Sequence, residues 1–484
     1  PPPTPPPLAA DHSYAAWCRH HDASAEELAR QREVATAARH PVRIRPVIVP
    51  AGVADPELAA RTRASLVSQS WPHWHPGDAA ADFVVWLTPG DSLAPDCLYH
   101  LAMAAGADPD VDLVHWDDDL AAAEADRHRP RFRPSWSPET LAANDYLAGA
   151  LALRRSRLAG MSDQAIAGLT PPALHEAVLG LDLAAAEVAR IPRVLAHRRF
   201  RHDTPTSRRA PPVGHPPHVS IVIPTRHNRP LVERCLAALE TTDYPSFDVT
   251  VVDSGQATPE NRHWWDARTS GLDLSVQWWE RPFNWSAVNN RAVATARGDV
   301  LVFLNDDTEV LDRSWLLEMV GWAVQPGIGV VGLQLTGTDG RLQSAGTVLG
   351  LTGFAGHLFE GARPGDDTLL GPTSWYRNVL AATGACLAVR RTVFSRLDGF
   401  DERFELCGSD VAFGLAAHRA GWRNLCSPFA ALRHLGSATR GPDVPEADFH
   451  TSFWPYQPWL FGGDPYFSPN LSFTEPVPAL RWPG

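Results

Sequence analysis

Three apolar runs in this 484-residue chain end in side chains suited to chemistry. VSIVIPT (219–225) closes on Thr225, DVTVVDSG (248–255) carries Asp253, and DVLVFLNDDTEV (299–310) carries Asn305-Asp306-Asp307. Two carboxylates at the end of a strand are hard oxygen ligands. They suit Mg2+ or Mn2+, which bind through one or two acids together with substrate phosphates. A plainer use of an Asp-Asp pair is an acidic turn capping the next helix. Asp253 on a second strand end, and the pair Asn290-Arg291 on the neighbouring helical stretch, weigh against the plain reading. Asp410 precedes a helix in FELCGSDVAFGLAAHRAGW and reads as an N-cap or as a base; Ser409 would cap as well, so a cap alone does not require an acid there. His434 follows the apolar SPFAAL and reads as a structural histidine or a ligand.

These residues need a frame. The helical stretch RPLVERCLAALETT follows the first strand, and SAVNNRAVATARG (286–298), with a glycine stop, precedes the third. Strands alternating with helices imply a parallel, doubly wound α/β sheet, in which ligands bind at the carboxyl ends of the strands. Thr225, Asp253 and Asn305-Asp306-Asp307 all fall at such ends.

Composition narrows the chemistry. The 43 basic residues are all arginine, which excludes Walker-type phosphate loops, Schiff-base chemistry and lysine bases. A formal net charge of -12 argues against nucleic-acid binding through a general basic field. The six cysteines form no C-x-x-C pair, so neither a zinc ribbon nor a disulfide scaffold is expected. No run of 18 apolar residues and no signal pattern occur, and the expectation is a soluble protein of a reducing compartment.

Breaks in composition divide the chain into a proline-led lead and helix (1–40), an N-terminal half (41–203), a linker (204–217), a C-terminal half (218–441) and a tail (442–484). The tail is rich in proline and aromatics, without helical or strand periodicity.

Residues 218–441 resemble the inverting family 2 glycosyltransferases of the GT-A fold. The resemblance rests on five stretches in family order: VSIVIPTRHNRPLVERCLAAL, VVDSG, FNWSAVNNRAVATARGDVLVFLNDDTEV, the segment from VLAATGACLAV through GSDVAFGLAAHRAGWR, and the histidine of LRHLGS. It implies that Thr225 and Asp253 contact the base and ribose of a nucleoside-diphosphate sugar. Asn290 and Arg291 would lie near the nucleotide or its diphosphate. Asp307 would hold Mg2+ or Mn2+, with Asp306 beside it on ribose or metal-bound water and His434 completing the shell. Asp410 would be the general base that activates an acceptor hydroxyl. Three departures stand out: Asn305 where relatives begin the metal triplet with Asp, Ser409 where they place Glu or Asn, and Leu435-Gly436 where they carry polar residues.

The N-terminal half resembles the first of two tandem domains found in some surface-polysaccharide glycosyltransferases, through RASLVSQSWPHW, ADFVVWLTPGDSLAPDCLYHLA and the segment beginning VDLVHWDDDL. Between Trp74 and Asp82 there is no room for a nucleotide-binding strand and helix. Thr88-Pro89-Gly90 replaces the metal acids, leaving Asp91, and His175-Glu176 stands where the base is expected. Asp117-Asp118-Asp119 reads as a loop-ordering cluster rather than a second metal site. The expectation is a shortened, degenerate GT-A-like domain that packs on a catalytic one. Trp375-Tyr376-Arg377 is the stretch expected to line the acceptor cleft by stacking on sugar rings.

The function expected is transfer from a nucleotide sugar to a glycan or lipid-linked acceptor, in the cytoplasm or peripherally at the inner face of the membrane, with no nucleic-acid partner. Two alternatives are a two-site polymerase, which the missing nucleotide half opposes, and a sugar-nucleotide-binding scaffold, which Asp253, Asp307 and Asp410 in order oppose.

Overall fold

The computed structural model describes residues 13–49, 55–121, 126–201, 210–268, 271–436 and 444–482. The proline lead (1–12), the end of the N-terminal half with the first part of the linker (202–209), and the boundary near 441 lie outside the described residues.

The C-terminal half is built on a ten-stranded sheet. Leu274–Trp278, Phe247–Asp253, Val219–Thr225 and Val300–Leu304 run parallel in that order. The sheet then changes sense. Cys386–Arg390 is antiparallel to Val300–Leu304, and Ile328–Thr336, Arg423–His434 and Thr308–Val310 follow. The fold is α/β as expected, but the sheet is mixed, because the later strands return without a crossover helix each time.

Side chains alternate across the strands, as the pleat requires. Ile221, Ile223, Val302 and Leu304 pack with Val232 and Leu236 of helix Arg229–Leu239 and with Trp315 and Met319 of helix Trp315–Ala323. Val222, Leu301 and Phe303 face the other way, onto Val288 of helix Trp285–Val293 and Phe413 of helix Ser409–Arg419. Both faces are covered, and the polar strand ends emerge at one rim.

The N-terminal half has its own seven-stranded sheet, ordered Ile44–Ile48, Phe83–Leu87, Leu151–Arg154, Leu113–Ala121, Val188–Arg198 and Ser92–Leu93, with Arg127–Arg131 added on Leu113–Ala121. Ile44–Ile48 pairs directly and in parallel with Phe83–Leu87. Polar contacts join the halves. Glu139 receives Arg423 on both carboxylate oxygens (2.6 and 2.9–3.1 Å) and Asn378 at 2.6 Å, while Arg129 and Arg131 pair with Asp367.

The tail contradicts the expectation of no regular structure. Glu446–Gly462 is a 17-residue helix that contains Pro455 and Pro458. Its prolines and its aromatics on every side hide the 3.6-residue period. Docking on the helix Ser409–Arg419, through Tyr456 packed with Val411 and Leu415, supports it. Beyond it, Trp17 Nε1 donates to Arg481 O and Asn470 Nδ2 to Pro192 O, so the tail straps the two halves. The six cysteines are free thiols. Among the described residues no helix is long and apolar enough to cross a membrane.

Candidate active site

A cleft of about 730 Å3 opens at the rim where the strands of the C-terminal sheet end. Thr225, Asp306, Asp307, His434 and Asp410 all line it.

Val300–Leu304 stops before Asn305, whose N–H donates to Ala385 O and whose carbonyl accepts from Thr308, turning the chain so that the two acids face the cleft. Thr225 Oγ1 donates to Asp306 Oδ2 at 2.6 Å. Burial pushes the Asp306 carboxyl up to about 6; the Thr225 hydrogen bond opposes that shift and the neighbouring Asp307 adds to it.

His434 reaches the acids through strand register. Thr308 pairs with His434 across antiparallel strands, which sets the imidazole beside Asp307. Gln343 then orients its ring. Its Nε2 donates to His434 O (3.0 Å), so its Oε1 is the atom 2.8 Å from His434 Nδ1 and accepts the Nδ1 proton. His434 Nε2 lies 3.1 Å from Asp307 Oδ1. That oxygen is buried and receives no hydrogen bond. A carboxylate oxygen and an imidazole nitrogen this close can share a cation, and this donor set fits a hard divalent ion. Among the described residues no three His, Cys, Asp or Glu side chains cluster to hold an ion unaided, so the remaining ligands would come from substrate or water.

Asp410 lies in the first turn of helix Ser409–Arg419. Its Oδ2 accepts the Gly384 N–H at 2.6 Å. Gly384 is required for that approach, since a Cβ there would meet the Trp285 ring at 2.8 Å.

Other expected residues lie elsewhere. Asp253 is fully buried and is not among the residues lining the cleft. Its Oδ2 accepts from Trp265 Nε1 (2.8 Å) and sits 2.5 Å from His227 Nδ1, and its Oδ1 accepts from Gly255 N–H. A Cβ at Gly255 would lie 2.5 Å from the His227 Cβ, which explains the glycine after Asp253-Ser254. Asn290 is spent on the loop ahead, donating to Phe400 O and accepting from Phe400 N–H. Arg291 is exposed and does not line the cleft.

The expectation for Trp375-Tyr376-Arg377 is corrected. All three are buried away from the cleft. Tyr376 donates to Glu318, Arg377 donates to the carbonyls of Leu370, Gly371 and Pro372, and Arg131 of the N-terminal half stacks on Trp375. Trp375 thus packs at the seam between the halves, a neighbour that local sequence does not reveal.

Sequence reasoning missed three cleft residues. Arg226, the arginine that lines the cleft among the described residues, lies over the Phe283 ring at 5.9 Å; its place directly after Thr225 was the available signal. Gln343 carried no signal. Neither did Asp448, which enters the cleft from the tail helix.

Residues 220–398 match Glycosyl transferase family 2. The chain is 34% identical to the O-antigen biosynthesis protein RfbC of Myxococcus xanthus, over 99% of this chain and 44% of that protein. It is 31% identical to the uncharacterized protein y4gI of Sinorhizobium fredii, over 82% of this chain and 49% of that one. The chain thus spans about half the length of these curated relatives. A solved mannosyltransferase from Pyrobaculum calidifontis, in complex with GDP-Man and Mn2+, superposes on 52% of this chain and 72% of its own at 20% identity and a TM-score of 0.36.

Proposed function

We propose, from the premise that residues 220–398 form a glycosyl transferase family 2 domain, that this chain moves a sugar with inversion from a nucleoside-diphosphate donor to a hydroxyl of a glycan or lipid-linked acceptor. Surface-polysaccharide assembly, of the kind the RfbC name denotes, is the setting proposed.

One observation carries the reading: Asp410 shares a single cleft with the Asp307–His434 pair, whose carboxylate oxygen and imidazole nitrogen lie 3.1 Å apart. Asp410 accepts the proton of the attacking hydroxyl, and the Gly384 amide keeps its carboxylate aimed into the cleft. Asp307 and His434 hold Mg2+ or Mn2+, which when bound supplies charge neutralisation to the leaving diphosphate. Asp306, fixed by Thr225, faces the donor. Arg226 takes the fixed positive role first expected of Arg291, because it lines the cleft. Asp253 acts on the nucleotide side through His227 and Trp265, whose positions it sets.

The N-terminal half is proposed to be a non-catalytic support. Asp117, Asp118 and Asp119 are buried and paired with arginine or histidine or bonded to backbone, which opposes the two-site polymerase.

The test is a panel of nucleotide sugars with Mn2+ or Mg2+, followed by nucleoside diphosphate release. Release from one donor, abolished by chelator and restored by metal, is expected. Asp410→Asn should keep nucleotide binding and lose transfer by about 10²- to 10⁴-fold; transfer at the parent rate in that variant would remove Asp410 as the base.

A further inference from the structure

The loop that delivers Asp410 is gripped from two elements. On one side is the start of helix Trp285–Val293: Asn284 Nδ2 donates to Glu402 O (2.9 Å), Trp285 N–H to Glu405 O (2.8 Å) and Ser286 Oγ to Phe404 O (3.3 Å). On the other is the tail helix. Asp448, 1% exposed, accepts three successive backbone N–H groups: Glu405 at 2.6 Å on Oδ1, and Leu406 and Cys407 at 2.8 Å on Oδ2. One carboxylate can take three consecutive amides only if all three point toward it, so this contact sets the curvature of the loop.

The grip continues to the base. Gly408 follows with φ +89°, a left-handed conformation that glycine adopts freely. Tyr456, two turns along the tail helix from Asp448, donates its hydroxyl to Gly408 O at 2.8 Å. A Cβ on Gly408 would lie 2.9 Å from that hydroxyl. Asp410 is only three residues beyond Cys407. Ser409 between them is buried, and its hydroxyl has no hydrogen-bond partner, so the residue before the base contributes nothing to aiming it.

We infer that Asp448 is a positioning residue for the transfer reaction, with Tyr456 as its second contact: the tail helix, lying outside residues 220–398, holds the loop 405–408 so that Asp410 meets the acceptor hydroxyl. This rests on Asp410 being the base. The tail helix is therefore part of the active site, and it forms one wall of the cleft through Asp448, Ser452 and Tyr456.

The test uses the 484-residue chain with Asp448→Ala, Asp448→Asn and Tyr456→Phe. Hydrogen exchange should quicken over residues 401–411 in Asp448→Ala and stay at the parent rate over 219–225 and 300–307. With the donor selected by the nucleotide-sugar panel, kcat should fall about 10- to 100-fold, the range for a displaced catalytic group. Donor KM should stay within about twofold, a split that general destabilisation would not give. Asp448→Asn, which keeps one acceptor oxygen, should lie between parent and alanine, and Tyr456→Phe nearer the parent. If Asp448→Ala does not fold, the asparagine and phenylalanine variants carry the same test. Parent kcat, parent exchange over 401–411, or equal losses in kcat and donor affinity would overturn the inference. A parent chain that turns over no donor would instead remove the glycosyl-transfer reading, and this role with it.

Discussion

Two acidic runs of this molecule come to opposite ends. Asn305-Asp306-Asp307 follows a strand that stops at Leu304, and its carboxylates face an open cleft. Asp117-Asp118-Asp119 lies inside a strand that continues to Ala121, between Arg127–Arg131 on one side and Val188–Arg198 on the other. Those neighbours bring counter-charges. Asp118 pairs with Arg133 and Arg198 at 2.8 Å and with Arg201 at 2.5 Å. Asp119 takes Arg127 at 2.7 Å, His197 at 2.8 Å and the Tyr14 hydroxyl at 2.7 Å. The arginines hold the Asp118 carboxyl far below the usual range despite full burial. An acid cluster whose neighbours already supply cations is a structural ion-pair network. One that lines an open cleft beside a single imidazole has room for a cation.

The sharpest break of this contrast is a matched pair of alanine variants. Asp307→Ala should lower transfer by about 10²- to 10³-fold, the scale for losing charge stabilisation at a reacting centre, and abolish the response to Mn2+ titration. Its thermal midpoint should move far less than that of Asp118→Ala, since Asp307 faces one histidine where Asp118 faces three arginines. Asp118→Ala should do the reverse. Removing one partner of a buried network costs about 3–5 kcal/mol, so thermal melting should reveal the loss while metal dependence stays that of the parent. A large melting change in Asp307→Ala, or an altered metal titration in a folded Asp118→Ala, would erase the distinction.

Much of this was readable from sequence because it is local. The runs at 219–225, 248–255 and 299–310 become strands, and their polar ends cluster because parallel strands in register share a rim: Thr225 pairs directly with Asp253. What was not readable depends on rotation or on distant chain. On helix Trp285–Val293 the buried arc runs through Ser286, Val288, Asn289 and Ala292; Asn290 and Arg291 fall on its flanks at 100° per residue, away from the cleft. His434 reaches Asp307 only through pairing with a strand 126 residues away, and Trp375 is claimed by an arginine of the other half. The tail helix was hidden by its own prolines.

A smaller effect sharpens the open-cleft side. Gln343→Leu removes the acceptor that holds the Nδ1 proton of His434 and leaves Asp307 and His434 in place. Partners of this kind around a metal-binding histidine are worth about 10- to 100-fold in metal affinity. The variant should need that much more Mn2+ for half-maximal transfer, with kcat at saturating metal close to the parent. An unchanged Mn2+ requirement would mean that the imidazole does not need its ring oriented.

The last test concerns the one aspartate of the buried run that arginine does not clamp directly. Asp117 accepts the Arg133 backbone N–H at 2.7 Å through Oδ1, and its Oδ2 has no hydrogen-bond partner. Burial pushes its carboxyl up to about 7, against the pull of the Arg190 and Arg133 charges and with a push from Asp118. In the unfolded chain the group titrates near its ordinary value of about 4. Between about pH 4 and 7 the folded state therefore holds the proton that the unfolded state has lost, and this group's contribution to stability falls as pH rises through that window. Asp117→Asn has no such proton. Whatever fixed offset the amide introduces, the stability of the parent relative to Asp117→Asn should decline from pH 5 to pH 8, by up to about 3 kcal/mol, at roughly 1.4 kcal/mol for each unit of pH crossed inside the window. Thermal melts of both chains at pH 5, 6, 7 and 8 measure that slope directly. A parallel pair of curves would mean that Asp117 stays charged in the fold, making all three members of the buried run ions held by arginine, and the contrast with the cleft would then rest on Asp306 and Asp307 alone.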